Sequence, residues 1–133
     1  MTGIKLRRLD TKKYFYRNII FSKQGQTISA IDIHNPNKAR EEFDPWFGIV
    51  LQLADGQHNI DQLIQFMTSQ YKGAPPHNLA ETILSVVQRM ADSRLIVLTE
   101  EPTELPYYLT MPYELLDIER AKKEIAADRV NLN

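Results

Sequence analysis

Apolar and polar residues follow a two-residue period near the start of the chain, which predicts β-strands. Residues 14–22 are aromatic and β-branched, and residues 27–34 alternate between apolar and polar side chains. Turn signals at Gly25 and Pro36 separate these runs from a charge-rich segment, residues 38–43, that suits an edge strand. The pattern therefore predicts a three-stranded antiparallel β-meander.

The period changes at Asp44-Pro45, and the chain that follows has the pattern of helices. Asp44 is a good N-cap, and Pro45 suits the first helical position, where its missing N–H costs nothing. Apolar stripes predict a first helix that stops near Gly56, a second with a capping-box start at Asn59, and a third over residues 78–92. A short apolar segment then returns the chain to the core.

The chain after residue 98 has a different character. Residues 99–112 hold three prolines, which predict an extended linker, and residues 112–127 carry the weak apolar stripe of a last helix. The sequence thus divides into a domain at residues 1–98 and a linker with a helix at residues 99–133. The predicted fold class is α+β: an N-terminal three-stranded antiparallel β-meander, a three-helix winged-helix-like bundle and a C-terminal helical tail.

Length and composition are those of one ordinary globular domain. The chain has 133 residues, of which 43% are hydrophobic and 25% charged. No apolar run approaches the ~20 residues that span a bilayer, and the basic residues near the N-terminus lack the apolar stretch of a secretory signal. Cysteine is absent, which excludes disulfides and thiolate chemistry and fits a reducing compartment. We expect a cytoplasmic protein with no membrane partner.

Charge is distributed unevenly along the chain. Residues 1–43 contain nine Lys or Arg and four Asp or Glu, a net charge of +5, whereas residues 44–104 contain three and eight, a net charge of −5. Two regions of opposite charge suit two different partners, or they are solvated surfaces without any partner.

The sequence offers no catalytic or metal-binding constellation. His34, His58 and His77 lie in or beside predicted turns, and no two of them have the helical spacing of a zinc pair. The five glycines form no phosphate-binding loop, and no nucleophile has a matching base. We therefore expect no enzyme activity, no metal and no cofactor.

The junction between the predicted strands and helices has a recognisable pattern. The pair Phe43-Asp44 enters the first helix, which ends in Leu53-Ala54-Asp55-Gly56, and two apolar helices follow before Leu95-Ile96. In these features residues 12–98 resemble the PqqD-like family, the recognition elements of ribosomally made, post-translationally modified peptides. The family has Leu-Asn in place of Phe43-Asp44, and a glycine where this chain has Arg94, so the turn after the third helix must differ or be strained.

The resemblance implies a non-catalytic adaptor. Family members bind the leader segment of a precursor peptide by β-strand addition and present it to a modifying enzyme, often a radical SAM enzyme. The added strand would pair with residues 38–43 while its side chains fill a groove against the third helix, where Leu84 lies off the main stripe and is expected to be partly exposed. The implied peptide-binding residues are Lys38, Ala39, Arg40, Glu41, Glu42, Phe43, Ile83, Leu84 and Val87.

Two other functions remain open from the sequence. A winged-helix DNA-binding protein has a similar order of strands and helices, with residues 78–92 as its recognition helix. That helix offers Arg89 alone for phosphate contacts, balanced by Glu81 and Asp92, so we expect no nucleic-acid partner. A structural or oligomerisation domain without a peptide ligand is the second alternative.

The C-terminal helix has two expected arrangements. Residues 113–119 mix apolar and acidic side chains, and the linker allows them to reach the groove of their own chain or of a neighbour. Exchange between two chains would produce a homodimer. The other arrangement is a helix docked on the outside of the bundle.

Overall fold

Antiparallel pairing divides the strands between two small sheets. The computed structural model describes residues 9–131, with side chains up to residue 129. The strands of this part of the chain are β1 (Tyr14–Arg17), β2 (Phe21–Gln24), β3 (Thr27–Ala30), β4 (Asp55–Asn59) and β5 (Ile96–Thr99). β1 lies between β4 and β5 in a three-stranded sheet, and β2 and β3 form a separate hairpin. The fold is mixed α+β, as the sequence predicts.

Four α-helices complete the regular structure of the described residues. They are α1 (Pro45–Leu53), α2 (Ile60–Ser69), α3 (Leu79–Asp92) and α4 (Ile118–Asn131), and two short 3₁₀ turns, Tyr107–Leu109 and Tyr113–Leu115, precede the last of them. None of these helices combines the length and the apolar character that crossing a membrane would require. The first three predicted helices are thus confirmed within a few residues.

Local signals at the helix starts act as the sequence predicts. The carboxylate of Asp44 accepts a hydrogen bond from the backbone N–H of Trp46 at 2.9 Å. At the start of α2, the Asn59 side chain and the Gln62 side chain each bond to the other residue's backbone, which completes a capping box. Both caps satisfy N–H groups that the helices themselves leave without a partner.

The main core lies between the three-stranded sheet and helices α1, α2 and α3. Phe15 of β1, Leu51 of α1, Leu63 of α2 and Met90 of α3 all have 0% exposure. The hairpin joins this core because Gly48 lets α1 approach β3 closely. A Cβ atom at Gly48 would lie only 3.1 Å from Cγ1 of Ile28.

A second apolar cluster joins the C-terminal segment to the hairpin. Leu116 and Ala121 are buried against Ile33, and Ile20 packs at the edge of the same cluster. Residues 113–119 therefore dock beside the hairpin of their own chain. The boundary at residue 98 and exchange into a homodimer stay predictions.

A buried arginine strengthens the docking of the C-terminal segment. The Arg17 side chain, only 4% exposed, donates from Nε to the Leu109 carbonyl at 2.7 Å and from Nη2 to the Thr110 carbonyl at 3.0 Å. Its Nη1 donates to the Leu51 carbonyl at 3.1 Å, near the C-terminal end of α1, where a cation is favourable. Burial lowers the pKa of Arg17, and the nearby carboxylate of Asp55 partly opposes that effect.

The three-stranded meander predicted for the N-terminal region is wrong in its pairing. The run 14–22 is broken into β1 and β2, which belong to different sheets. Asn18 N–H still donates to the Leu95 carbonyl at 2.9 Å, in register with the pairing of β1 and β5, and the chain bends at Ile19 before β2 begins. Residues 38–43 form no strand beyond one isolated bridge, between Ser29 and Glu42. The chain leaves β3 after Ala30 in a turn that Asp32 closes, so only the end of the predicted third strand meets β3.

The partners of β1 come from elsewhere in the chain. The sequence predicts a helix end near Gly56, yet residues 55–59 form β4, antiparallel to β1. The apolar segment after α3 pairs with the other side of β1 as β5. Each pairing joins segments some 40 or 80 positions apart, which local periodicity does not report.

The turn between α3 and β5 confirms the expectation drawn from Arg94. This residue has φ of +62°, the conformation that favours glycine, and Leu95 N–H donates to the Met90 carbonyl at 2.9 Å across the turn. That geometry is the usual helix ending with a non-glycine residue at its left-handed position. The cost of this conformation for a residue with a Cβ is about 1 kcal/mol.

Candidate functional site

Residues 41–43 form the outermost extended segment beside the hairpin. Phe43 N–H donates to the Ile28 carbonyl at 2.8 Å, and Ala30 N–H donates to the Glu41 carbonyl at 3.4 Å. In an antiparallel pair, the N–H and C=O of one residue point to the same side of the strand, and those of the next residue point to the opposite side. The N–H and C=O of Glu42 therefore point away from β3, and they have no backbone hydrogen-bond partner among residues 9–131. This is a short strand edge available for pairing.

A cleft of about 610 Å³ lies beside the same segment. We call it the edge cleft. One wall comes from residues 41–44 with the end of β3, and the other comes from α1, the last turn of α3 and the residue before β5. The lining residues are Ala30, Glu41, Glu42, Phe43, Asp44, Phe47, Arg89, Ser93 and Leu95.

The edge cleft combines an apolar lining with charged rims. Phe43, Phe47 and Leu95 are half-buried there, so each keeps some apolar surface accessible. Glu41 and Glu42 are exposed on one side, and Arg89 is exposed on the other. An extended peptide with an apolar side chain matches this lining, because the backbone edge and the apolar surface lie side by side.

The predicted strand residues are divided by the structure. Glu41, Glu42 and Phe43 line the edge cleft, whereas Lys38 and Ala39 are exposed and do not line it. Arg40 is half-buried and turned away toward the hairpin, where its Nη1 donates to Ser22 Oγ at 2.9 Å. Half of the predicted segment therefore lies at the candidate site.

The predicted residues of the third helix lie elsewhere. Ile83 and Val87 have 0% exposure and Leu84 only 9%, and all three belong to the main core. The expectation that Leu84 is partly exposed, and that these residues line a groove, is wrong for this structure. The reason is that α3 packs this face on the other helices and on β5, so that only its last turn reaches the edge cleft.

Six lining residues of the cleft were not among the predicted site residues: Ala30, Asp44, Phe47, Arg89, Ser93 and Leu95. Arg89 and Ser93 lie in and after the last turn of α3, and Phe47 lies in the first turn of α1. A signal was available for Arg89, because it is the one cation on a helix whose other charged residues, Glu81 and Asp92, are acidic. Its guanidinium carbon lies 5.3 Å from the centroid of the Phe47 ring, which places a cation over an aromatic face.

The polar cluster around β4 has a structural explanation. His58 Nδ1 lies 2.8 Å from Asp55 Oδ1, and the backbone N–H of Gln57 donates to the same oxygen at 2.9 Å. Burial alone would raise the pKa of Asp55, but the hydrogen bonds from His58 and Gln57 outweigh it and lower the pKa. Within residues 9–131, no group of three or more His, Asp or Glu residues is arranged to hold a metal ion.

Comparison with known proteins gives no relative from which a function can be transferred. No family model matches the chain, and no curated protein or solved structure matches it either. The resemblance to the PqqD-like family therefore stays a prediction from the sequence.

Proposed function

We propose that the protein is a non-catalytic adaptor that binds the leader segment of a precursor peptide and presents it to a modifying enzyme. The peptide pairs with residues 41–43 by β-strand addition, and its side chains enter the edge cleft. The observation that carries this proposal is the outward backbone of Glu42 beside a cleft of about 610 Å³ with apolar lining. The family resemblance adds the class of enzyme, a radical SAM enzyme, and a winged-helix-like arrangement of the helices.

Other strand edges are less suited to an added strand. On the outer edge of β2, Lys23 N–H already donates to Glu114 Oε1 at 2.9 Å. On the outer edge of β4, the Gly56 carbonyl accepts from Thr103 N–H at 2.9 Å. The outer edge of β5 is the remaining rival, because the register with β1 directs the backbone groups of Ile96 and Leu98 outward.

The charges on α3 support a peptide partner over DNA. Its charged residues are Glu81, Arg89 and Asp92, all exposed, and their net charge is −1. A helix that binds phosphates needs a surplus of Lys and Arg on its docking face. The proposal also includes a cytoplasmic setting, which the absence of cysteine fits.

The decisive experiment separates the backbone of Glu42 from its side chain. Extended peptides are selected by phage display on the purified protein, and the best binder is synthesised with a fluorescent label. Glu42→Pro removes one N–H donor from the edge, whereas Glu42→Ala removes only the carboxylate. Fluorescence anisotropy should show a Kd raised about fivefold by Glu42→Pro beyond the effect of Glu42→Ala, which corresponds to one hydrogen bond.

Amide chemical shifts provide the positional control. On addition of the selected peptide, the resonance of Glu42 N–H should move, and those of Ile96 and Leu98 should stay in place. Movement at Ile96 and Leu98 alone would assign the binding edge to β5 and overturn the proposed site. Failure of the intact protein to bind any extended peptide would overturn the proposed function.

A further inference from the structure

A series of side-chain hydrogen bonds connects the C-terminal segment with Arg40, which lies just before residues 41–43 of the edge cleft. Arg40 Nη1 donates to Ser22 Oγ at 2.9 Å, and Ser22 Oγ donates to Glu114 Oε2 at 2.5 Å. Glu114 also accepts from Lys23 N–H through its other oxygen, at 2.9 Å. Ser22 is only 1% exposed, so its hydroxyl depends on these two protein partners.

We propose that Glu114 is a positioning residue for the peptide-binding segment. Its carboxylate fixes the Ser22 hydroxyl, the hydroxyl fixes the Arg40 side chain, and Arg40 holds the backbone that leads into Glu42. The C-terminal segment is then part of the binding function, although it lies outside the edge cleft. This inference rests on the proposed function for its biological meaning, while its structural part can be tested without a peptide.

The donor and acceptor roles in this series of hydrogen bonds explain why a carboxylate is required at position 114. A serine hydroxyl has one proton to donate and lone pairs to accept with. Because the Ser22 hydroxyl donates its hydrogen bond to Glu114, the lone pairs of Ser22 Oγ face the guanidinium of Arg40, which can only donate. An amide at position 114 can present its NH₂ group to Ser22, and the hydroxyl would then face donors from both sides.

The groups around Glu114 favour the ionised form of its carboxylate. Burial alone would raise the pKa of Glu114, but the hydrogen bonds from Ser22 and Lys23 and the charge of Arg40 together lower it. Glu114 therefore remains an acceptor through both oxygens at neutral pH. Bonds to a charged acceptor are roughly twice as strong as neutral ones.

The segment needs such a restraint because its own pairing is slight. A single bridge, Ser29 with Glu42, holds it to β3. Arg40 adds a second fixed point, because its Nη2 also donates to the Pro36 carbonyl at 3.2 Å and so spans the loop before the segment. Holding each residue of the segment in one conformation costs backbone entropy, so a further restraint beside the single bridge favours the ordered segment.

Amide hydrogen exchange tests the restraint directly in the intact protein. Ala30 and Phe43 donate the two bonds of the bridge, so the exchange of their N–H groups reports how often the segment opens. Glu114→Gln should accelerate exchange at both amides about tenfold, and Glu119→Gln, the same charge change on α4, should leave it unchanged. The amide of Val87 in the core serves as a reference for global unfolding.

A double-mutant cycle tests whether the effect passes through Arg40. If it does, Glu114→Gln adds no further acceleration in a protein that already carries Arg40→Met. Unchanged exchange at Ala30 and Phe43 in Glu114→Gln, or equal acceleration at Val87, would overturn the inference. Additive effects of the two substitutions would overturn the route through Arg40.

Peptide affinity separates this inference from the proposed function. The selected peptide should bind Glu114→Gln about tenfold more weakly than wild type and bind Glu119→Gln normally. Accelerated exchange with unchanged affinity would refute the role of Glu114 in binding. Accelerated exchange in a protein that binds no peptide would refute the proposed function and leave the restraint established.

Discussion

The guanidinium of Arg89 in α3 lies over the ring of Phe47 in α1, with 5.3 Å between the guanidinium carbon and the ring centroid. This contact joins two helices at the lining of the edge cleft. Both residues are therefore placed to contribute to stability and to the surface that a peptide would meet.

Replacing Arg89 should lower the stability of the fold slightly. The loss of an exposed cation–π contact predicts that Arg89→Gln lowers the free energy of unfolding by roughly 0.5–1 kcal/mol. Urea denaturation followed by Trp46 fluorescence provides the measurement. Ser85→Ala, at an exposed position of the same helix, is the control, and an equal loss in both variants would contradict the prediction.

Replacing Arg94 should have the opposite effect. Arg94 has φ of +62°, so Arg94→Gly removes a steric cost of about 1 kcal/mol, from which the greater entropy of an unfolded glycine subtracts a part. We expect urea denaturation to show a free energy of unfolding raised by about 0.5 kcal/mol. The matched variant is Ser93→Gly, where φ is −84° and glycine brings no relief. A midpoint lowered equally by both substitutions would show that Arg94 is not strained.

The contribution of Glu114 to stability should depend on pH. Its folded-state pKa is lowered, so this contribution is complete above the unfolded-state pKa of about 4.3 and is lost as the pH falls through the folded-state pKa. The difference in unfolding free energy between wild type and Glu114→Gln should therefore be constant near neutral pH and shrink below about pH 4. Because Asp55 titrates in both proteins, it cancels from that difference. A difference that grows on acidification would contradict the assignment.

The sequence by itself determined the helices. Asp44 and Asn59 cap α1 and α2, and regular apolar stripes mark their buried faces, because caps and periodicity act between residues within one or two turns. The sequence also indicated the unusual turn at Arg94. Of the peptide-binding residues it predicted, Glu41, Glu42 and Phe43 line the edge cleft, and their role in binding stays a prediction.

Only the tertiary structure decided the strand pairing. Residues 55–59 have no strand-like alternation, and they become β4 because β1 offers them an edge. No local pattern indicated how deeply α3 packs. That packing buries Leu84 in the core and places Arg89 at the edge cleft.

The link from Glu114 to Ser22 joins residues 92 positions apart in the chain. Its formation depends on the docking of the whole C-terminal segment on the hairpin, through Ile33 and Leu116 among others. A local pattern cannot encode such a contact, because the free energy that forms it comes from apolar surface buried between distant segments.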